Sequence, residues 1–111
     1  MSQHYFETKH REMPVTILMG WDRPLQGFFM VIESDRAGAD DDDYIYSNLT
    51  DRELRSVRGL PDSLDHFLAK LAEFGLSVPQ QMLREIRADA AADVGNRQVW
   101  YAAEGAIRAS S

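Results

Sequence analysis

Cysteine is absent from this 111-residue chain, which excludes disulfides, thiolate metal sites, cysteine nucleophiles and thiol redox chemistry. Long apolar runs are missing too. The stretch Phe28 to Ile32 is only five residues long, against the roughly 20 that a membrane-spanning helix needs. The opening residues, Met1 to Arg11, are polar and charged, so no secretory h-region is read there and a cytoplasmic location is the default expectation. Basic charge is in deficit: 12 Lys and Arg face 18 Asp and Glu, a formal net charge of −6. Binding a phosphate backbone or an anionic bilayer needs a basic face, so the expected partners include neither nucleic acid nor a membrane. Phosphate loops, dinucleotide fingerprints and a Gly-x-Ser-x-Gly elbow are likewise missing, and no cofactor or catalytic residue is implied.

What remains is enough to build a core. The apolar share is 44% and the aromatic share 10%, ordinary for a globular chain, and the length suits one domain. Residues 14–21 read as a strand, with Val15, Ile17, Met19 and Trp21 on one face and Thr16, Leu18 and Gly20 on the other. A turn follows, with Pro24 pre-setting its bend and Gly27 expected to take a positive φ. Phe28 to Ile32 resumes the β-pattern and is apolar at every position, so both faces of that strand need cover. Tyr44 to Tyr46 offers a short third strand, giving a β-meander over residues 13–48.

Helical signals occupy residues 50–94. Thr50 with Glu53 reads as a capping box for a short helix that stops at Gly59. Asp62 is placed to cap the next helix, whose stripe is Leu64, Phe67, Leu68, Leu71 and Phe74, ending at Gly75. Ser77 with Gln80 suggests a third start, and Gly95-Asn96 a stop. Residues 98–102 could add a last strand, while residues 1–12 read as a loosely packed arm. The expected fold is therefore α+β: a three- to four-stranded antiparallel sheet with a helical hairpin packed on one face.

Each conspicuous cluster has a plain structural explanation beside a functional one. Asp40 to Asp43 gathers hard oxygen ligands, but lacks the ordered spacing of a calcium loop and reads as a solvated run guarding a strand edge, so no metal is expected. His4, Glu7 and His10 recur every third residue, a spacing unlike the His-Glu-x-x-His zinc pattern. His66 reads as a solvent-facing helix residue, and Arg52, Arg55 and Arg58 as a solvated helix face. The helix pair at 62–74 and 77–93 has the outline of a helix-turn-helix with Gln80, Gln81, Arg84 and Arg87 available, yet the surrounding acids would repel DNA.

Two groups of residues carry the functional expectation. Phe29, Val31, Tyr44, Tyr46 and Trp100 supply apolar and amphipathic groups to strands whose second face needs a cover, pointing to an interaction module whose partner is a second copy or another protein. Trp21, Asp22 and Arg23 form the alternative, a pocket edge where Arg23 holds a carboxylate ligand of a small-molecule-binding domain or minor enzyme. Turn chemistry alone also explains that tripeptide, with Asp22 making an Asx turn and Arg23 covering Trp21.

Overall fold

Six strands, two 3₁₀ segments and two α-helices make up the computed structural model, which describes residues 1–34 and 44–111. The strands are β1 (Ser2–His10), β2 (Met13–Asp22), β3 (Gly27–Ser34), β4 (Tyr44–Ser47), β5 (Arg97–Tyr101) and β6 (Ile107–Ser110). The 3₁₀ segments Asn48–Thr50 and Arg52–Val57 lead to the helices α1 (Asp65–Glu73) and α2 (Gln80–Ala92). The sheet runs β4-β3-β2-β1-β5-β6, antiparallel throughout except for the parallel pair β1 and β5. The chain is α+β, with a mixed six-stranded sheet where a smaller antiparallel one was expected.

The difference lies at the two ends of the chain. Residues 1–12, expected as a loose arm, instead supply β1, an interior strand hydrogen-bonded on both edges. Its inward positions begin with Ser2 and His4, so the periodic signal of a buried face is broken by polar residues that find partners inside. The expected last strand is β5, which docks on β1 with Tyr5 beside Trp100, and a further strand, β6, continues past it.

The register places Phe6, Ile17 and Ile32 in one cross-strand row, and His4, Met19 and Met30 in the next. These positions face α1 and α2, whose Phe67, Leu71, Met82 and Ile86 complete the core. Met19, Met30, Phe67 and Ile86 are each 0% exposed. Flexible thioethers at the sheet centre fill the uneven space between flat strands and round helices.

Local chemistry moves several boundaries. Asp51, through its Oδ1 accepting from the Glu53 N–H, caps the segment Arg52–Val57, and Ser47 caps the one before it; Thr50 caps neither. Helix α1 starts after Leu64 with no side-chain cap, so Asp62 lies outside it, and α2 starts after Pro79 without help from Ser77. Positive φ in the β2–β3 turn falls on Gln26 (54°) rather than on Gly27. Gly27 is instead set by crowding, since a Cβ there would lie 2.5 Å from that of Leu60. The Asp40 to Asp43 run lies outside the described residues.

Candidate functional site

Strand alternation gives this sheet two unlike faces. One is filled by the helices. On the other, Trp100, Tyr5, Leu18 and Val31 stand side by side on β5, β1, β2 and β3, paired in register from strand to strand. All four are only partly buried. The Tyr5 and Trp100 rings stack with centroids 5.3 Å apart and planes 10° from parallel. Phe29, one row along, is 7% exposed because its ring lies over Gly20, which offers no side chain to compete for the space. Neither α1 nor α2 packs on this face.

The same face is electrically quiet. Among the described residues, the charged groups about its centre are Glu7, Lys9 and Glu33, joined by Arg108, whose guanidinium approaches Glu7 to 3.9 Å, while Asp22 lies at the far end of the face, in the β2–β3 turn. Two of each sign balance within a chain that carries −6 overall. Partial burial, and then the Glu33 carboxylate, push the Tyr5 phenol above its usual range, keeping it a neutral hydrogen-bond donor.

The remaining expected residues are distributed elsewhere. Tyr44, exposed on the outer strand β4 and paired with Glu33, stays at the margin of the helix-free face, whereas Tyr46 turns to the helical side and packs edge-on to Phe67 and Phe74. Trp21 closes the core at the end of β2, donating its indole N–H to Asp93 at 3.1 Å. Asp22 accepts the Leu25 N–H at 3.1 Å, an Asx turn, and Arg23 stands 3.4 Å from the Asp93 carboxylate. Gln26 adds a third donor to Asp93, and these contacts, led by the Trp21 indole, hold that exposed carboxyl below its usual range. The structure thus brings Phe29, Val31 and Trp100 to one face and sends Trp21, Arg23 and Tyr46 to others.

Two buried polar clusters were not foreseen. In the first, Tyr101 donates to His4 Nδ1 (2.8 Å) and His4 Nε2–H donates to Asp89 Oδ2 (2.6 Å). Arg97 donates to Asp89 Oδ1 and to Glu85 Oε1, both at 2.7 Å. His4 is fully buried, so desolvation pulls its pKa below the usual value against the opposing pull of Asp89. Arg97 supplies the countercharge to Asp89, leaving the neutral imidazole as the form that satisfies every partner. In the second cluster, Tyr46 (2.5 Å) and His66 Nε2 (2.7 Å) both donate to Asp51 Oδ2. Burial alone would raise the Asp51 pKa, but these two hydrogen bonds and the Glu53 N–H win and lower it. His66 is therefore a partner of Asp51 rather than the solvent-facing residue expected.

Both clusters join a histidine to a carboxylate, a pairing that elsewhere orients a general base. The first is closed: His4 is 0% exposed, with both ring nitrogens bonded inside the protein. Of two shallow surface cavities, one of about 180 Å³ lies beside Phe6 and Pro79, and one of about 280 Å³ beside Gln3 and Asn96, reaching the first cluster only at Arg97. Glu7 cannot join His4 and His10, because a strand sends it to the opposite face. No metal-holding group occurs among the described residues. No described helix is long and apolar enough to cross a membrane.

The state of His4 has a measurable consequence. A histidine kept neutral in the fold but free to protonate near pH 6.5 when unfolded gives the unfolded state more bound protons below that pH. Stability is then full above about pH 6.5 and declines as the pH falls towards the lowered folded value. Asp51 and Asp93, with lowered pKa values, act only below about pH 4, outside this window. Urea midpoints should therefore drop between pH 7.5 and pH 5. A flat profile would mean that folding leaves the His4 pKa unshifted, and a midpoint that rises towards pH 5 would mean that His4 is cationic in the fold, ion-paired to Asp89.

No family model matches the chain, and no curated protein or solved structure matches it.

Proposed function

We propose that this chain is a non-catalytic interaction module that self-associates through the helix-free face of its sheet. The observation that carries the reading is the four-strand row Trp100, Tyr5, Leu18 and Val31, apolar and only half-covered. An amphipathic sheet normally buries its apolar positions against another layer.

Size and charge favour a second copy as that layer. The six strands, 40 residues in all at about 3.3 Å per residue and about 4.8 Å spacing, give a face of roughly 630 Å². Two such faces would bury about 1,300 Å², within the range of specific interfaces. Copies carrying −6 each repel at long range, so the contact has to be made where charge is balanced, and the face with Glu7, Lys9, Glu33 and Arg108 is such a place. Two sheets packed this way interdigitate their side chains at a spacing of about 10 Å.

Sedimentation equilibrium tests the reading with Leu18→Lys and Val31→Asp, which bury a charge in the proposed contact while leaving the helical core untouched. The wild type should sediment as a dimer at micromolar concentration, and each variant should weaken association at least 100-fold with an unchanged circular dichroism spectrum. A monomeric wild type at 100 μM, or dimers indifferent to both changes, would overturn it. Phe29→Asp is a poorer probe, because the ring over Gly20 is part of the fold.

A further inference from the structure

The segment Arg52–Val57, with its cap Arg58, exposes three arginines in seven residues, none in an ion pair or side-chain hydrogen bond with another described residue. Its own acids do not neutralise them. Asp51 is occupied by Tyr46, His66 and the Glu53 N–H, and Glu53 is bound by Lys70 at 2.7 Å. Among the described residues, three guanidiniums are thus left uncompensated on a chain that is acidic elsewhere. Beside them Leu49 is 77% exposed and Val57 43% exposed, and Leu49 is held near by the close approach of Gly59 to its backbone.

We infer that Arg52, Arg55 and Arg58, with Leu49 and Val57, form a docking surface for an acidic segment of a partner protein that also carries apolar side chains. This surface is independent of the sheet face. The 3₁₀ geometry is what makes it a row: at three residues per turn and about 2.0 Å rise, Arg52 and Arg55 stand one above the other about 6 Å apart. Alternate residues of an extended peptide lie about 6.6 Å apart on one side, so successive carboxylates of such a peptide meet successive guanidiniums. Arginine forks hold carboxylates in bidentate pairs. Phosphates along a nucleic acid strand would also meet the charges, but they offer nothing apolar to cover Leu49 and Val57. A long polyanion would also meet the acidic remainder of a chain whose net charge is −6 overall.

Fluorescence anisotropy at 50 mM salt with three labelled probes decides the matter. The first is an eight-residue peptide with glutamate at alternate positions and leucine at both ends. The second replaces each glutamate by glutamine, and the third is an eight-nucleotide single-stranded DNA. The glutamate peptide should bind at least tenfold more tightly than the other two. The triple change Arg52→Gln, Arg55→Gln and Arg58→Gln should abolish that preference, and Leu49→Ser should weaken the peptide at least threefold. These residues are exposed, so melting temperature should stay within a few degrees. DNA binding more tightly than the peptide would move the surface to nucleic acid and overturn the inference. So would peptide binding that ignores either variant, or no binding at 1 mM peptide.

Discussion

Replacing His4 with alanine should lower the unfolding free energy by about 3–5 kcal/mol, the largest single effect expected of any side chain in the first strand. His4 is fully buried at the sheet centre and bridges β5 to α2, through Tyr101 on one ring nitrogen and Asp89 on the other. Truncation leaves a cavity, deprives the phenol of its acceptor and removes one of the two donors to a carboxylate that is 2% exposed. A buried carboxylate short of donors is costly because no water replaces the lost bond. A domain of this size has on the order of 5–15 kcal/mol to lose, so the variant should sit near the edge of folding at 37 °C. Urea unfolding of His4→Ala, Asp89→Ala and the double variant would measure the coupling. The double change should cost clearly less than the sum, because each single change strands the other's partner. Additive losses would mean that the two groups act separately.

A second large effect belongs to a residue with no side chain. Gly20→Val should destabilise the fold by about 3 kcal/mol or prevent it from forming. A Cβ at this position would lie 1.9 Å from the Ser2 carbonyl oxygen and 2.9 Å from the tip of the Phe29 ring. The ring could swing aside, but the carbonyl is backbone of β1, and moving it would disturb the bond from the Trp21 N–H to Ser2 Oγ. The φ of Gly20 is ordinary, so space alone sets the requirement. Pairing Gly20→Val with Phe29→Ala separates the two contacts. If Phe29→Ala restores stability, the ring is the obstacle; if it does not, the strand backbone is.

The legible parts of this fold are those where period and burial agree. The hairpin of β2 and β3 follows from alternation over Val15 to Trp21 and the apolar run after Gly27, and Phe67 and Leu71 follow from their helical spacing. Strand β1 was hidden because its inward face begins with a serine and a histidine, whose burial depends on partners 19 to 97 residues away. The parallel pairing of β1 with β5 leaves no local trace either, since nothing in Ser2 to Phe6 announces Arg97 to Tyr101. For the sheet face, Val31, Phe29 and Trp100 could be named from strand parity alone. Tyr5 and Leu18 join them only when strand order is known. The arginines were visible as a triplet, but their uncompensated state depends on Asp51 and Glu53 being occupied by residues from other elements.

The place of β1 also sets a timetable. Ser2 to Phe6 is made about 95 residues before its neighbour Arg97 to Tyr101. At ribosomal rates of roughly 5–20 residues per second, β1 waits on the order of 5–20 s with one edge unpaired. For most of that wait His4 lacks both Asp89 and Tyr101, and the growing sheet ends in a bare hydrogen-bonding edge. Closure across so long a loop makes folding slow for a domain of this length, and it exposes the nascent chain to mispairing during the wait. Helper proteins that shield strand edges would therefore matter more to the yield of this chain in the cell than to its stability once folded.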